Sequence, residues 1–364
     1  MALQRDGKIV LVGHDTLAGG TIVVQQFTRS GLPDTTFGDD GTAVVSGSDL
    51  PDTNPDGTVV TTGMGGTSIA VQPDGKIVGV GWEYALTRPY YDAIVVFRLN
   101  EDGSADDTFG STGPGFSTIT HGWDGAQVLL QPGGKILVAG RLANYSVGIR
   151  HTALLARYNA DGSLDSSFGV SGTVTHRIHD LDSWYSSVAL QPDGKIVAVG
   201  TTLTSACGSF FARYDRDGSP DLGFGTNGVL CVESSFFKNP GPVMLLPGRR
   251  ILATGNVFDP ASGGNAFAMV CLTSSGSLDA SFGVGGRSVV PIADEAGTSY
   301  AVASGAALQH DGRILIAGHF SHHDTIAVMR ANGRRSSPFE LHEEREPQVP
   351  ALRQPLFPDG RIRP

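Results

Sequence analysis

Charge is scarce in this 364-residue chain, and its scarcity excludes whole classes of protein. Charged residues make up 17% of the sequence, and 36 acidic residues outnumber 26 basic ones to give a net charge of −10. A protein that binds nucleic acid through its phosphates needs a concentrated basic surface, so no nucleic-acid partner is predicted. The sequence also lacks a run of eighteen apolar residues, so no membrane-spanning helix is predicted.

Cysteine is also scarce, with only Cys207, Cys231 and Cys271, and none of them has C-x-x-C spacing. A zinc site or a redox pair is therefore not indicated. A Cys207–Cys231 bridge is compatible with an oxidising compartment, but three partly buried thiols are the favoured interpretation, because free cysteine is usually buried. The opening residues MALQRDGKIV do not have the order of a signal peptide, so the compartment stays open.

Repetition is the strongest feature that the sequence does have. The phrase LQPDGKIVAVG at residues 190–200 recurs in five related forms, whose basic residues are 55 to 68 positions apart. A period near sixty residues indicates an array of similar units, each burying its faces against its neighbours. The related forms are LQRDGKIVLVG (3–13), VQPDGKIVGVG (71–81), LQPGGKILVAG (130–140), LLPGRRILATG (245–255) and LQHDGRILIAG (308–318).

One unit, residues 172–214, predicts four short β-strands joined by turns. In its PDGK turn, Pro192 presets the backbone and Gly194 supplies the left-handed residue that the hairpin requires. Gly75 holds the same position in the second unit and is assigned the same structural role. Fifty glycines and twenty prolines make the chain rich in turns, while its 40% apolar content is too high for a disordered protein.

Tandem units of four antiparallel strands predict an all-β fold, a β-propeller of four-stranded blades. Six blades with an imperfect sixth are favoured, and an incomplete seven-bladed ring or an open arc stays an alternative. The last strand of the sixth unit is missing or is built from residues 336–341. Residues 331–364 are predicted to form a charged tail that holds the start of a truncated seventh repeat. The six units are placed at about 1–45, 46–118, 119–177, 178–233, 234–290 and 291–330.

A second phrase, D-x-x-F-G, follows the first at the same period and supplies one phenylalanine to each of five units. We interpret these rings as wedges between adjacent blades, because a packing role explains a residue that every full unit carries. The five are Phe37, Phe109, Phe168, Phe224 and Phe282.

The two phrases together, QPDGKIVAVG followed by ARYNADGSLDSSFG, resemble the delta-60 repeat over about residues 1–330. That family consists of β-propeller-like repeats found mainly in bacterial secreted and surface-associated proteins. The resemblance implies a propeller fold and a secreted or cell-surface location. It implies no activity and no catalytic residues. The fifth unit departs from the pattern with LLPGRR, and the sixth lacks its D-x-x-F-G half.

Ligand-binding candidates come from the parity of the connections. In a four-stranded antiparallel blade the first and third connections share one face, so the irregular loops share the other. Variable loops on a rigid scaffold often carry binding specificity, and exposed aromatic rings suit a glycan or a protein partner. The alternative is that these aromatics plug the tops of their own blades. The candidates on the irregular face are Trp82, Trp123, Trp184 and Tyr185.

No cofactor is predicted, although two weaker metal interpretations exist. Asp215, Asp217 and Asp221 resemble a calcium loop, but Asp-Gly is also a common turn sequence. His319, His322 and His323 have the composition of a transition-metal site, yet a solvated loop is the favoured interpretation.

No catalytic motif is found in the sequence. We therefore predict a non-enzymatic scaffold that presents a loop face to a glycan or protein partner. The alternative is a hydrolase-like propeller enzyme with its site in the central funnel, and the oligomeric state stays undetermined.

Overall fold

Twenty-four β-strands make up nearly all the regular structure in the computed structural model of this protein. Apart from 3-10 turns at Pro132–Gly134 and at Ile178, the described residues contain no helix, and so none that could cross a membrane. The prediction of an all-β chain is confirmed. The structure describes residues 1–15, 20–45, 62–85, 92–113, 115–120, 122–144, 150–178, 181–203, 206–259, 264–290, 301–320, 325–332 and 340–341.

The strands form six separate sheets, and each sheet consists of four consecutive antiparallel strands. Blade 1 contains β1 (Ala2–Leu3), β2 (Ile9–Asp15), β3 (Thr21–Phe27) and β4 (Thr42–Val45). Blade 2 contains β5 (Thr62–Val71), β6 (Ile77–Ala85), β7 (Asp92–Leu99) and β8 (Phe116–Thr120). Blade 3 contains β9 (Gly122–Leu130), β10 (Ile136–Asn144), β11 (Arg150–Tyr158) and β12 (Thr173–His176).

The second half of the chain repeats this order. Blade 4 contains β13 (Ser183–Leu190), β14 (Ile196–Thr202), β15 (Ser209–Tyr214) and β16 (Val229–Val232). Blade 5 contains β17 (Val243–Leu246), β18 (Arg250–Asp259), β19 (Gly264–Leu272) and β20 (Arg287–Val290). Blade 6 contains β21 (Ala301–Leu308), β22 (Arg313–Phe320), β23 (Thr325–Asn332) and β24 (Glu340–Leu341).

The first strand of each blade is the innermost one. Strands β1, β5, β9, β13, β17 and β21 contact one another in succession, so they line a common axis. Within the described residues, blade 6 shares no strand with blade 1 and makes no comparably extensive contact with it, so the array is not closed. This arrangement is a β-propeller of five full blades and a partial sixth, as the repeats predict.

The sixth blade ends in a two-residue strand, β24, in which Glu340 and Leu341 pair with Arg330 and Met329. This strand falls within residues 336–341, one of the two outcomes that the sequence leaves for the missing strand. Because β23 runs to Asn332, the blade extends past residue 330, where the tail is predicted to begin.

The hydrophobic core lies between the blades rather than inside any one of them. A central strand such as β15 is buried along its whole length because a neighbouring blade covers each of its faces. One cluster joins Val197 and Phe211 of blade 4 to Ile251 and Val270 of blade 5. Burial on both faces explains why these strands are almost continuously apolar instead of alternating.

In blades 2, 3 and 4, the glycine that ends the first phrase has a steric role. The inner strands carry a β-bulge, for example between Tyr185 and Ser187, which brings their backbone close to the second strand. A Cβ atom at Gly200 would lie 2.1 Å from the carbonyl oxygen of Trp184. A Cβ atom at Gly81 would lie equally close to the carbonyl oxygen of Gly65, and one at Gly140 would lie close to that of Asp124. No larger residue fits there without displacing the inner strand.

A disulfide joins Cys207 to Cys231 in blade 4, with their Cα atoms 4.9 Å apart. The favoured sequence interpretation of three free thiols is therefore wrong. The reason is the register of the sheet, because Phe210 of β15 pairs with Cys231 of β16, which places the preceding loop beside the outer strand. Cys271 is free and buried, and its burial raises the pKa of its thiol to about 12.

Candidate functional site

The two ends of the blades differ in chemistry. At one end, which we call the turn face, the first hairpin turn meets the connection between the third and fourth strands. Gly75 and Gly194 lie in these turns with φ of +89° and +84°, the conformation that the turn interpretation requires. At the other end, the loop face, lie Trp82 and Trp184, which are near the end of β6 and the start of β13. The turns and the tryptophans are thus on opposite faces, as parity predicts.

Ion pairs tie the two phrases together on the turn face. The basic residue that follows each turn contacts the aspartate of D-x-x-F-G in its own blade. The N–O distances are 2.7 Å for Lys8–Asp34, 2.6 Å for Lys76–Asp106, 2.9 Å for Lys135–Asp165, 2.8 Å for Lys195–Asp221 and 3.4 Å for Arg250–Asp279.

Blades 2, 3 and 4 add an arginine from the third strand to this ion pair. In blade 3, the Nε of Arg157 donates to Asp165 at 2.7 Å, and the guanidinium lies 4.5 Å from the centre of the Phe168 ring. The same guanidinium donates to the carbonyl of Arg216 in the next blade. Arg98 and Arg213 repeat this arrangement with Asp106 and Asp221.

The phenylalanines of the second phrase lie between adjacent blades. All five are at most 3% exposed. The ring of Phe168 in blade 3 reaches Gly218 in blade 4, where a Cβ would lie 2.9 Å from it. Beside the ring, the Gly169 N–H donates to the Asp217 carbonyl of blade 4 at 2.7 Å. These contacts are what a wedge between blades requires.

The aspartates that resemble a calcium loop are engaged in the turns themselves. Asp217 Oδ1 accepts from the Ser219 N–H at 2.9 Å and from its hydroxyl at 2.7 Å. Asp221 accepts from Lys195 and Arg213. Across the residues that the structure describes, no group of three metal-ligating side chains is found. The side chains of His319, His322 and His323 lie outside the described residues.

Acid should destabilise the fold through the turn-face aspartates. The Lys8 ammonium, with Thr36, lowers the pKa of Asp34 to about 2. Burial would raise the pKa of Asp165, but Lys135 and Ser167 more than offset it, and the pKa falls below its usual range. A carboxyl whose pKa is lower in the folded state stabilises the fold above pH ~4, and this stabilisation is lost as the pH falls towards ~2.

We therefore expect the thermal unfolding midpoint to fall by roughly 10 °C or more between pH 6 and pH 3. Circular dichroism melts at constant ionic strength would measure it. An Asp165→Asn variant should unfold at a lower temperature than the wild type at pH 6, and its midpoint should fall less between pH 6 and pH 3. A midpoint that is constant over this range would contradict the role given to the ion pairs.

An aromatic shelf lies on the loop face at blade 2. The rings of Trp82 and Tyr84 stack with centroids 5.2 Å apart and planes inclined by 19°. They extend over the inner strand at Gly65 and Gly63, where a Cβ would lie 2.3 Å and 2.4 Å from the respective ring. Tyr84 is 39% exposed and Trp82 is partly buried. The exposed His14 of blade 1 borders the shelf, 6.0 Å from Trp82.

A charged cluster surrounds Trp184 on the same face, where blades 3 and 4 meet. Arg141 forms two hydrogen bonds of 3.0 Å with Asp124, and its guanidinium lies 5.4 Å from the Trp184 ring. His151 Nδ1 lies 3.6 Å from Asp182. Burial and the Arg141 charge lower the pKa of His151 more than Asp182 raises it, so its imidazole is neutral at pH 7. The cluster therefore offers both charged and neutral polar groups.

One of the four sequence candidates is not part of an exposed rim, and a second has a side chain outside the described residues. Tyr185 is 1% exposed, and its hydroxyl lies 2.5 Å from that of Tyr214 in the core. It follows Trp184 directly in β13, and adjacent strand residues point to opposite sides of a sheet. Its assignment as a ligand-binding residue is therefore corrected. Trp123 belongs to β9, but its side chain lies outside the described residues.

Sequence reasoning missed Tyr84 as a partner of Trp82 and missed the glycines beneath both rings. The available signal was their spacing, because residues two apart on a strand share a face. It also missed Arg141, His151 and Asp182, whose positions depend on how blades 3 and 4 meet.

Among solved structures, the chain is similar to several at low identity. It shares 10% identity with a glucose dehydrogenase, over 90% of this chain and 98% of that chain, with a TM-score of 0.45. It shares 13% identity with an endo-arabinase from Bacteroides thetaiotaomicron VPI-5482, over 73% and 92% of the two chains, with a TM-score of 0.37. For the β-propeller domain of the Trilobed protease from Pyrococcus furiosus, identity is 11%, coverage is 93% and 81%, and the TM-score is 0.42. No curated protein matches the chain.

A family model described as "Domain of unknown function (DUF5122) beta-propeller" matches the chain five times. The matches cover residues 4–37, 72–109, 131–168, 191–224 and 249–282. Each match begins near the first phrase and ends at the phenylalanine of the second, so it contains the hairpin turn and the wedge of one blade. The family model thus matches five repeats of the chain, and the family that it describes is one of β-propeller repeats.

Proposed function

We propose that this protein is a non-enzymatic propeller scaffold that binds a glycan on its loop face, with Trp82 and Tyr84 as the stacking surface. The observation that carries the proposal is the stacked, partly exposed pair lying over Gly65 and Gly63. Aromatic side chains usually bury their faces in a core. Here the glycines leave room for the two rings to lie along the inner strand at the mouth of the propeller.

The chemistry of the shelf suits a sugar. The C–H groups on one face of a pyranose ring pack against an aromatic plane, and the partly exposed Tyr84 ring, which stacks on Trp82, offers such a plane. Hydroxyl groups at the edge need hydrogen-bond partners, and His14 borders the shelf. The Asp124–Arg141 pair on the same face adds further polar groups around Trp184. Protein surfaces are also bound by exposed aromatics, so the test includes that outcome.

The disulfide supports a secreted or cell-surface location as part of this proposal. Disulfides persist in oxidising compartments and are rare in the cytosol, where thiols are kept reduced. Cys231 is exposed, so a cytosolic reductant has access to the bond. An extracellular protein that displays a glycan-binding face is consistent with both features.

Trp82→Ala should weaken glycan binding about thirtyfold, which corresponds to about 2 kcal/mol, with little effect on the thermal midpoint. A glycan array would identify a ligand, and calorimetry would measure its affinity for each variant. Gly65→Ala is a second test, because its Cβ would displace the Trp82 ring without removing it. Phe258→Ala is the matched control. Phe258 is 54% exposed and lies near the end of β18, the second strand of blade 5, as Trp82 lies near the end of the second strand of blade 2, and its loss should not affect binding.

A wild-type protein that binds no glycan, or a Trp82→Ala variant with unchanged affinity, would refute the proposal. Binding of a protein instead of a glycan, lost in Trp82→Ala, would keep the shelf as an interface and change the class of partner.

A hydrolase is the second candidate, favoured by one observation. The loop face brings two carboxylates, Asp124 and Asp182, together with the neutral His151 where two blades meet. Such groups are able to act as acid and base if a substrate lies between them. A panel of glycosidase and esterase substrates would distinguish this candidate, because turnover that is lost in Asp182→Asn would support an enzyme.

A further inference from the structure

The arginine that blades 2, 3 and 4 share is replaced by glutamine in blade 1. Arg98, Arg157 and Arg213 each stand eight residues before the aspartate of the second phrase. Gln26 stands at that position before Asp34. Its side chain is shorter and uncharged, so blade 1 lacks the cation that blades 2, 3 and 4 place at this point.

Four kinds of contact hold the guanidinium in the other blades. In blade 2, Arg98 Nε donates to Asp106 at 2.6 Å, and one terminal nitrogen donates to the Ala160 carbonyl of blade 3 at 2.5 Å. The other terminal nitrogen donates to Thr108 at 3.2 Å. The group also lies 4.6 Å from the centre of the Phe109 ring. The position therefore offers a carboxylate, a carbonyl, a hydroxyl and an aromatic face.

Blade 1 has all four of these groups without the arginine. Asp34 and Thr36 correspond to Asp106 and Thr108, and Phe37 corresponds to Phe109. The carbonyl comes from Glu101, which precedes Asp102-Gly103 in blade 2 as Ala160 precedes Asp161-Gly162 in blade 3. Asp106 Oδ2 binds both a lysine and an arginine, whereas the ion pair of Asp34 is with Lys8. One cation is missing from an otherwise complete site.

A cleft opens beside the position of the missing guanidinium, and two of the four groups, those of Thr36 and Glu101, belong to residues in its wall. Its volume is about 490 Å³, and Gln26, Thr36 and Glu101 are among the residues that line it, between blades 1 and 2. The remaining wall includes Asp6, Asp74 and Asp102, and acidic side chains outnumber the basic Arg5 and Lys8. The cleft therefore has an acidic lining and suits a cationic group.

The amide of Gln26 also points to a ligand. Gln26 is 1% exposed, and its Nε2 has no hydrogen-bond partner in the described structure. In this orientation the amide presents a donor, which a guanidinium cannot satisfy because it has no acceptor. Rotation of the amide by half a turn exchanges its nitrogen and oxygen, which lets the oxygen accept from a donor in the cleft.

We propose that this cleft binds the guanidinium group of an arginine side chain from a protein partner. The bound group takes the place of the missing repeat arginine, next to Asp34, Thr36 and the Glu101 carbonyl. A planar fork of five donors matches a carboxylate, a carbonyl and a hydroxyl arranged around it, whereas an ammonium group satisfies fewer of them. The site lies on the turn face and is independent of the glycan proposal for the loop face.

Calorimetric titration with Nα-acetyl-arginine methylamide tests the proposal, with the acetyl-lysine analogue at equal ionic strength as the comparison. We expect a dissociation constant on the order of 1–10 mM for the arginine probe and binding at least about fivefold weaker for the lysine probe. Gln26→Arg should fill the cleft, abolish this binding and raise the thermal midpoint. Gln25→Arg is the matched control, because Gln25 is exposed and adds the same charge outside the cleft.

A reciprocal variant keeps the test decisive if Gln26→Arg does not fold. Arg157→Gln should create a second cleft between blades 3 and 4, lower the thermal midpoint, and bind a second equivalent of the arginine probe. Equal binding by the wild type and Gln26→Arg, equal binding of both probes, or no binding at 50 mM would overturn the proposal.

Discussion

Replacing Phe168 with alanine is expected to lower the free energy of unfolding by about 3–5 kcal/mol. The ring is fully buried between blades 3 and 4, and the Arg157 guanidinium covers one of its faces. Its removal takes away the buried apolar area, leaves a cavity against Gly218, and removes the surface on which Arg157 rests. The thermal midpoint should fall by about 5–10 °C in scanning calorimetry.

Val170→Ala is the control for this substitution. Val170 lies two residues further along the same connection and is 79% exposed, so its loss should change the stability by less than about 0.5 kcal/mol. Equal effects of the two variants would show that Phe168 is not a wedge. If hydrogen exchange shows that amide protection is lost only in blades 3 and 4, the wedge acts at one boundary between blades.

Removing the Cys207–Cys231 bridge should cost about 3 kcal/mol. The bond closes a loop of 24 residues and ties the segment before β15 to the outer strand β16, which is only four residues long. Opening a loop of this length restores entropy to the unfolded chain, which accounts for the expected size of the effect. The double variant Cys207→Ser/Cys231→Ser and the reduced wild type should melt at the same lower temperature.

Thiol titration separates the bridge from other effects of reductant. The oxidised protein should show one thiol after denaturation, from Cys271, and three after reduction. Reductant should shift the melting of the wild type and leave the double variant unchanged. Three thiols in denatured protein that was purified without reductant would contradict the bridge.

The repeats made the blades predictable because the signal is periodic and local. The turn glycines, the basic residue and D-x-x-F-G recur in order, so strand count and the placement of the turns follow from one unit. The parity of the connections also placed Trp82 and Trp184 on one face correctly. These inferences need only the direction of each strand, which the turns determine.

The sequence predictions were wrong where the outcome depends on the exact register of a strand, which a shift of one residue changes. Strand β13 begins at Ser183, so Trp184 and Tyr185 are neighbours on a strand and cannot share a face. The disulfide depends on the pairing of Phe210 with Cys231 across a loop of irregular length. The repeat arginines were visible eight residues before each aspartate, but their contact with the next blade appears only when blades are stacked.

Because every sheet is made of four consecutive strands, the strands that pair within a sheet are never far apart in the chain. The widest pairing in the described sheets, Ala93 with Thr120, spans 27 residues. Each blade is therefore able to form its complete ladder as soon as its own segment leaves the ribosome or a secretion channel, without waiting for the opposite end. Growth then proceeds by addition, with each new blade covering the wedge of the one before. A propeller of this design suits a chain that is delivered to its compartment unfolded and folds in order of arrival.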